Sequence, residues 1–221
     1  MTLTEEKSAL VRLLLDTQVL LFGDFTLKSG RKSPYFFNLA AINSGAGISA
    51  LGDAYARCIV DSKVQFSCVF GPAYKGIPIA VATAEALARA GHDVGWAFNR
   101  KEAKAHGEGG VFVGSDVQGR IVLVDDVLTA GTAVREAAAL IFAAKAELAA
   151  IFITMDRQEI VDSGTGLTAV QTLQAELGIP VKSLLNLQDV IRYLDLNAHH
   201  DNYPRALIDQ LKRYQAAHCA L

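Results

Sequence analysis

The sequence predicts an α/β fold built on a doubly wound, mostly parallel sheet. Short apolar runs such as 67–71, 120–126 and 148–155 alternate with stretches of ten or more residues that have helical periodicity. The centre of each run, such as 121–124, is continuously apolar, as strands buried on both faces of a parallel sheet require. A chain of 221 residues with 51% hydrophobic content can bury a sizeable hydrophobic core without a partner chain.

The elements are predicted in order along the chain. Leucines at helical spacing predict an amphipathic helix over 4–22 that ends near Gly23, and FTLKSGRKSPYFFNL predicts two short strands around a turn. The alternating part is predicted as helix 47–60, strand 67–71, helix 76–90, strand 93–98, an irregular stretch 99–119, strand 120–126, helix 131–145, strand 148–155, then a further helix and a strand ending near Leu185. Residues 186–218 look helical and are expected to pack on the outside or against a partner subunit. No linker or internal repeat is evident, so we expect one domain over 1–221, with an N-terminal hood of about 1–42, a core of about 43–185 and a tail of about 186–221.

Composition argues against several classes of partner and location. A net charge of −2 and a pI near 6.2 do not favour nucleic acid or an anionic membrane as a partner. The three cysteines have no metal-binding spacing, which favours a reducing cytoplasm. Charged residues interrupt the apolar residues near Met1, so no secretory signal or membrane-spanning helix is expected.

Two adjacent acids and a small-residue turn end the strand predicted at 120–126. Asp125 and Asp126 close the apolar run, and the segment from Thr129 to Ala133 leads into a helix. Ligands of parallel sheets bind at the carboxyl ends of the strands. Free backbone N–H groups at the start of a helix can hold a phosphate, while carboxylates accept hydrogen bonds from neutral hydroxyls. The pattern therefore predicts a site for a ribose 5-phosphate.

A structural interpretation competes with this one: the two acids end a buried strand, and Thr132 caps a helix. Neither the Walker A pattern G-x-x-x-x-G-K-[ST] nor the dinucleotide pattern G-x-G-x-x-G occurs in the chain. The segment IVLVDDVLTAGTAVRE instead resembles the phosphoribosyl pyrophosphate (PRPP) signature of the type I phosphoribosyltransferases.

Five segments in register resemble the orotate phosphoribosyltransferases: FTLKSGRKSPYFFN, GPAYKGIPIA, FNRKEAKAHGEGG, the acid-pair segment and MDRQE. The match spans roughly residues 20–160 and continues more loosely to the end. The segment 161–180 departs from the family pattern because it lacks the basic residues expected after the arginine motif. The resemblance implies transfer of ribose 5-phosphate from PRPP to N1 of orotate, in the biosynthesis of UMP, by a cytoplasmic homodimer. It also implies Mg²⁺, bound mainly through PRPP and water without a dedicated protein cage.

The polar stretch FNRKEAKAHGEGG concentrates cations and glycines. Its composition predicts a mobile, solvent-exposed loop, and by composition alone a solvated loop without function is equally acceptable. A loop that closes with fixed cations suits a pyrophosphate leaving group. The resemblance implies that this loop reaches the neighbouring subunit's active site, with Lys104 and His106 assisting the departure of pyrophosphate.

The remaining segments are ordinary when taken alone. GPAYKG can be a strand-to-helix turn with Lys75 exposed, Phe36 and Phe37 can be strand core, and a lone arginine is usually a surface charge. By resemblance, Arg157 pairs with the orotate carboxylate, which distinguishes orotate from uracil. The implied catalytic residues are Lys104, His106, Asp125 and Asp126. The implied PRPP-binding residues are Lys28, Tyr74, Lys75, Arg100, Lys101, Lys104, His106, Asp125, Asp126, Val127, Leu128, Thr129, Ala130, Gly131, Thr132 and Ala133. The implied orotate-binding residues are Phe36, Phe37, Thr129 and Arg157.

Two alternatives share the acid-pair segment. A purine or uracil phosphoribosyltransferase needs a different base pocket, and Arg157 with the Phe36–Phe37 pair argues against it. A non-catalytic PRPP-sensing regulator on the same fold would carry a nucleic-acid-binding module or a basic face, and neither is visible in the sequence. The lysine-rich loop favours catalysis.

Overall fold

The computed structural model describes residues 3–27, 29–104, 110–129, 131–162, 164–198 and 203–220, with residues 103 and 104 described as backbone only. The strands are β1 (Leu20–Thr26), β2 (Lys32–Phe37), β3 (Cys68–Gly71), β4 (Gly95–Lys104), β5 (Gly110–Gly114), β6 (Arg120–Val127), β7 (Glu147–Asp156) and β8 (Val181–Asn186). The helices are α1 (Glu5–Asp16), α2 (Gly45–Asp61), α3 (Gly76–Arg89), α4 (Thr132–Ala143), α5 (Ala169–Leu177), α6 (Leu187–Asn197) and α7 (Arg205–His218), with a short 3₁₀ turn at Leu39–Ala41.

The central sheet has the strand order β5-β4-β3-β6-β7-β8. All neighbouring strands are parallel except β5, which runs antiparallel to β4 at one edge. A separate antiparallel hairpin is formed by β1 and β2. The predicted fold class, a mostly parallel α/β sheet with an N-terminal accessory, is confirmed.

The sheet is buried on both faces, which explains the continuous apolar runs. In β6, Val122 and Val124 belong to one core cluster, which includes residues of α1, α2, α3, α6 and α7. Ile121 and Leu123 belong to a second cluster, with residues of α4 and α5. Side chains alternate between the faces of a strand, so both positions must be apolar when both faces are covered.

The N-terminal helix is shorter than predicted. α1 ends at Asp16, and the leucines at 20 and 21, which fitted the helical spacing, lie in β1. The chain turns at Gln18, whose φ is 58°, and Leu20 then pairs with Phe37 of β2. The backbone partner supplied by β2 therefore overrides the helical periodicity of the leucines.

The stretch 99–119 was wrongly predicted to be irregular throughout. β4 continues to Lys104, and β5 pairs with it through Phe98–Val113 and Asn99–Phe112. The Phe112 ring packs edge-on against Phe70 with centroids 5.8 Å apart. Polar composition favoured a loop, whereas the short apolar run GVFVG supplies an edge strand with a partner. Residues 105–109 lie outside the described residues.

The helical tail predicted at 186–218 is confirmed as α6 and α7. Ile208 and Leu211 of α7 are fully buried in the larger core cluster. Tyr214 of α7 meets Tyr35 of β2 edge-on, with ring centroids 5.9 Å apart. The last helix therefore packs beneath the N-terminal hairpin. None of the helices in the described part of the chain is long and apolar enough to cross a membrane.

Candidate active site

Three neighbouring strands bring the predicted site segments to one edge of the sheet. β3, β6 and β7 are adjacent. The segment GPAYKG begins at the last residue of β3, the acid pair lies near the end of β6, and Arg157 follows β7. Because all three strands are parallel, their carboxyl ends meet on the same side, where parallel sheets bind ligands.

The acid pair is buried at the end of β6, with Asp125 8% and Asp126 5% exposed. Asp125 Oδ1 accepts a hydrogen bond from the Asp126 amide at 2.9 Å. Burial and the adjacent Asp126 charge raise the pKa of Asp125 to about 7, although the amide hydrogen bond and the Lys75 charge oppose this. Asp125 is therefore a carboxyl group that exchanges a proton near neutral pH.

Asp126 is held differently from its neighbour. Its Oδ1 accepts from the Val127 amide at 2.8 Å, and its Oδ2 accepts from Lys75 Nζ at 2.6 Å. The Lys75 side chain is 55% exposed, so solvent screens the pair and its contribution to stability is small. The ion pair instead fixes a position, because it holds Lys75, in the loop after β3, beside the two acids.

A buried tyrosine supports the acid pair from below. Tyr55 of α2 is fully buried, and its hydroxyl donates to the Asp125 carbonyl oxygen at 2.6 Å. The Thr154 hydroxyl lies 2.7 Å from the same tyrosine oxygen. With its own proton committed to Asp125, Tyr55 accepts from Thr154. This chain of hydrogen bonds joins α2, β6 and β7 directly beneath the site.

The turn after the acid pair begins α4. Gly131 is the N-cap residue with φ 68°, a left-handed conformation that costs glycine little, and no side chain caps the helix. Thr129, Thr132 and Ala133 are exposed. The N–H groups of the first helical turn have no acceptor within the helix, so with the helix dipole they form a site for an anion.

The loop from Gly71 to Gly76 packs its own ends together. A Cβ atom on Gly71 would lie 2.0 Å from the Gly76 carbonyl oxygen, so only glycine fits there. The peptide bond between Ala73 and Tyr74 is cis. The Ala73 amide donates to Asn99 Oδ1 at 3.2 Å, which ties this loop to β4.

The exposed side chains of this loop meet the cationic end of β4. Tyr74 is 66% exposed, and Lys101 Nζ lies 4.8 Å from the centroid of its ring. Arg100 Nη1 donates to the Gly110 carbonyl oxygen at 3.3 Å, across the β4–β5 hairpin. Tyr74, Arg100 and Lys101 all line an open depression of ≈ 400 Å³. The structure therefore brings three of the predicted PRPP-binding side chains to one surface.

Arg157 is buried beneath the N-terminal hairpin. It is 8% exposed, and its guanidinium carbon lies 4.2 Å from the centroid of the Tyr35 ring. Nε and Nη2 both donate to Glu159 Oε1, at 2.8 and 2.5 Å, and Nη2 also lies 3.3 Å from Ser33 Oγ. Arg157 is therefore not a surface charge but a buried hydrogen-bond donor whose orientation is fixed by its neighbours.

Phe36 and Phe37 lie on opposite faces of β2, as expected for adjacent strand residues. Phe36 is 38% exposed and stacks on Phe25 with centroids 5.4 Å apart, whereas Phe37 is 8% exposed and belongs to the core. Arg157 meets Tyr35 on the face shared with Phe37. The Phe36 ring and the Arg157 guanidinium therefore lie on opposite faces of β2.

Comparisons with known proteins identify the family. Residues 40–173 match the family described as "Phosphoribosyl transferase domain". An orotate phosphoribosyltransferase from Vibrio cholerae is 50% identical over 209 residues, covering 93% of this chain and 94% of that protein. Another, from Saccharophagus degradans, is 51% identical over 194 residues, covering 87% and 90%. This chain belongs to the orotate phosphoribosyltransferase family. The crystal structure of orotate phosphoribosyltransferase from Francisella tularensis has a TM-score of 0.83 at 37% identity, covering 96% of this chain and all of that one.

The family predicted from the five segments is thus confirmed. Several of its predicted site residues fall outside what the structure describes. Lys28, His106 and Ala130 lie outside the described residues, and Lys104 is described by its backbone alone. Val127 and Leu128 lie between the acid pair and the turn, with Leu128 buried in the core.

The sequence did not reveal the residues that hold the acid pair and Arg157 in position. Tyr55 lies within the helix predicted at 47–60 and gave no signal of its own, because its partner Asp125 is 70 positions away in the sequence. Tyr35 and Glu159 stood inside segments already singled out, YFF and MDRQE. Glu159 had a usable signal, since a carboxylate two residues from an arginine can pair with it.

The acid pair offers carboxylate oxygens near the position where a magnesium ion would bind with the substrate. Within the described ranges, no group of three or more histidine, cysteine, aspartate or glutamate side chains is arranged to hold a metal. Asp126 already binds Lys75. The acid pair can accept hydrogen bonds from water bound to an ion, but it does not surround one.

Proposed function

We propose that this member of the orotate phosphoribosyltransferase family transfers ribose 5-phosphate from PRPP to N1 of orotate, giving orotidine 5′-monophosphate and pyrophosphate in pyrimidine biosynthesis. The observation that carries the proposal is the match to orotate phosphoribosyltransferases over nearly the whole chain, at about half of all aligned positions. The clustering of the acid pair, the glycine turn and the loop after β3 at one sheet edge supports it.

PRPP binds across the carboxyl ends of β3 and β6 in this proposal. The 5-phosphate lies on the amides of residues 129–133, where the start of α4 favours negative charge. The ribose hydroxyls donate to Asp125 and Asp126. Lys75 lies within reach of the acids and is half-exposed, so it can turn towards pyrophosphate when the sugar hydroxyls take its place on Asp126.

Orotate lies between this ribose site and Arg157. The Nη1 atom of Arg157 donates to no residue in the described part of the chain, so it is available to the orotate carboxylate. Thr129 supplies a second contact, and Lys28 a charge near the base and pyrophosphate. Because the Phe36 and Phe37 rings point to opposite faces, these two residues contribute backbone groups to the base as well as packing.

The chemistry consists of separating opposite charges and neutralising each. Breaking the bond from C1′ to pyrophosphate leaves positive charge on the ribose and negative charge on the leaving group. The acid pair opposes the first, while Lys75, Arg100 and Lys101, with Lys104 and His106, oppose the second. Orotate, deprotonated at N1, forms the new bond to C1′ from the opposite face, so no protein nucleophile is needed.

Mg²⁺ and a second subunit complete the proposal. When bound together with PRPP, Mg²⁺ would supply positive charge beside the leaving pyrophosphate, with ligands mainly from PRPP and water. The segment 99–119 of one subunit of a homodimer reaches the active site of the other. The exposed Lys101 near the end of β4 supports this, since it lies with Arg100 and Tyr74 on one open surface.

The test is a spectrophotometric assay of orotate consumption with PRPP and Mg²⁺, run beside uracil, adenine and hypoxanthine. Consumption of orotate alone, dependent on PRPP and metal, is expected. Turnover of another base would retain the PRPP site and overturn the role of Arg157. PRPP binding without turnover of any base would indicate a regulator instead.

A further inference from the structure

Glu159 is the shared acceptor of three side chains behind the base site. Its Oε1 accepts from Arg157 and from the Tyr214 hydroxyl, the latter at 2.7 Å. Its Oε2 pairs with Arg31 Nη1 at 3.3 Å. The Glu159 side chain is 13% exposed and that of Arg157 is 9% exposed, so water competes weakly for these interactions.

These contacts join three distant parts of the chain. Arg31 belongs to the turn before β2, Glu159 follows β7, and Tyr214 lies on α7. The backbone reinforces the junction, since the Ile160 amide donates to the His218 carbonyl oxygen at 2.9 Å and the Ala220 amide to the Gln158 carbonyl oxygen at 3.0 Å. The chain end is therefore fastened to the segment that carries Arg157.

Glu159 fixes the orientation of the guanidinium. It binds Nε and Nη2 together, and the Tyr35 ring lies against the guanidinium at 4.2 Å. The hydrogen bonds to Glu159 and the contact with the Tyr35 ring therefore both oppose rotation of the guanidinium group. The atom left over is Nη1, which donates to no residue in the ranges that the structure describes.

Two guanidinium groups share the Glu159 carboxylate. Asp156 supplies a second negative charge close to Glu159, but it accepts from the Gln158 amide and pairs with neither arginine in the described ranges. The Arg31 side chain is 27% exposed, so solvent screens its charge, whereas Arg157 is held in a nearly dry environment by Glu159. Arg157 therefore keeps Nη1 as a donor that a ligand carboxylate can use.

We propose that Glu159 is a positioning residue for orotate: it holds Arg157 by Nε and Nη2 so that Nη1 faces the substrate carboxylate, and Tyr214 of α7 keeps Glu159 in place. This inference rests on the proposed function, in which Arg157 binds that carboxylate. It assigns the C-terminal helix a part in base recognition.

The experiment measures kcat and the separate KM values for orotate and PRPP in Glu159→Gln, Arg157→Ala and the double variant. Glu159→Gln should raise KM for orotate by roughly tenfold or more, the usual effect of losing hydrogen bonds to a charged group. KM for PRPP should change much less. In the Arg157→Ala background, Glu159→Gln should have little further effect, since residues that act through one another are not additive. Glu147→Gln is the matched control. Glu147 begins β7 and pairs with Arg120, which begins β6, so this pair lies at the other end of the sheet from the candidate site.

Tyr214→Phe keeps the proposal testable if Glu159→Gln folds poorly, because it removes one hydroxyl and should raise KM for orotate by a smaller factor. If Arg157→Ala raises KM for orotate while Glu159→Gln and Tyr214→Phe do not, the inference is overturned and the proposed function stands. Equal rises in both KM values, or additive effects in the double variant, indicate a general structural role and also overturn it. An unchanged KM for orotate in Arg157→Ala overturns the role of Arg157 and this inference together.

Discussion

Replacing Asp125 by asparagine should stabilise the ligand-free protein, and the gain should grow with pH. The folded state raises the pKa of Asp125 to about 7 from an ordinary value of 3.8. Between these values the folded carboxyl group keeps a proton that the unfolded chain has released. The wild-type protein therefore loses stability through this group as the pH rises from about 4 to 7, and the loss is constant above that. Asparagine does not titrate and avoids this cost, while its Oδ1 can still accept from the Asp126 amide.

The size of the effect follows from the two pKa values. At about 1.4 kcal/mol for each pH unit, the raised pKa of Asp125 lowers the free energy of unfolding by about 4 kcal/mol at pH 8 and by about 2 kcal/mol at pH 5. The gain from Asp125→Asn should therefore be larger at pH 8 by roughly 2–3 kcal/mol. Comparing the two pH values removes the contributions of asparagine that do not depend on pH.

Urea denaturation of both proteins at pH 5 and pH 8, at one protein concentration and without ligands, measures these differences. KM for PRPP should rise in the variant, because the same carboxylate accepts from the ribose hydroxyls in the proposed site. A difference in stability between the variant and the wild type that is the same at pH 5 and pH 8 would refute the reasoning that burial and Asp126 destabilise the ionised Asp125.

Three further predictions concern the scaffold and the loop. Tyr55→Phe should cost about 1–3 kcal/mol in urea denaturation, because it leaves the Asp125 carbonyl and the Thr154 hydroxyl without their partner; an unchanged midpoint would contradict this. Gly71→Ala should lose at least about 3 kcal/mol or fail to fold, since its Cβ would meet the Gly76 carbonyl oxygen, whereas Gly45→Ala, whose Cβ meets nothing within 4 Å, should be tolerated. Lys104→Ala should lower kcat far more than it lowers Tm, because the loop cation is expected to act on the leaving group; parallel losses of kcat and Tm would remove Lys104 from the mechanism.

The sequence by itself determined the parallel sheet and the position of the acid pair and the glycine turn at the end of one strand. Strands whose centres are continuously apolar, such as 121–124 and 148–153, indicate a sheet covered on both faces, because each face must be apolar to be buried. The acid pair and the turn at Gly131 are local features, since one strand end and one helix start contain them entirely. Patterns of this kind can be predicted because they depend only on residues that are close together in the sequence.

Tertiary structure decided what depends on contacts between distant residues. The leucines at 20 and 21 became strand because β2 offered a backbone partner, and GVFVG became β5 because the edge of β4 was open to it. The raised pKa of Asp125 comes from its burial beside Asp126. The orientation of Arg157 comes from Glu159, which also contacts Arg31 and Tyr214, residues that are 128 and 55 positions away from it in the sequence. Periodicity describes which residues can be buried, but only the packed chain determines which of them meet, and the charges that meet set the chemistry of the site.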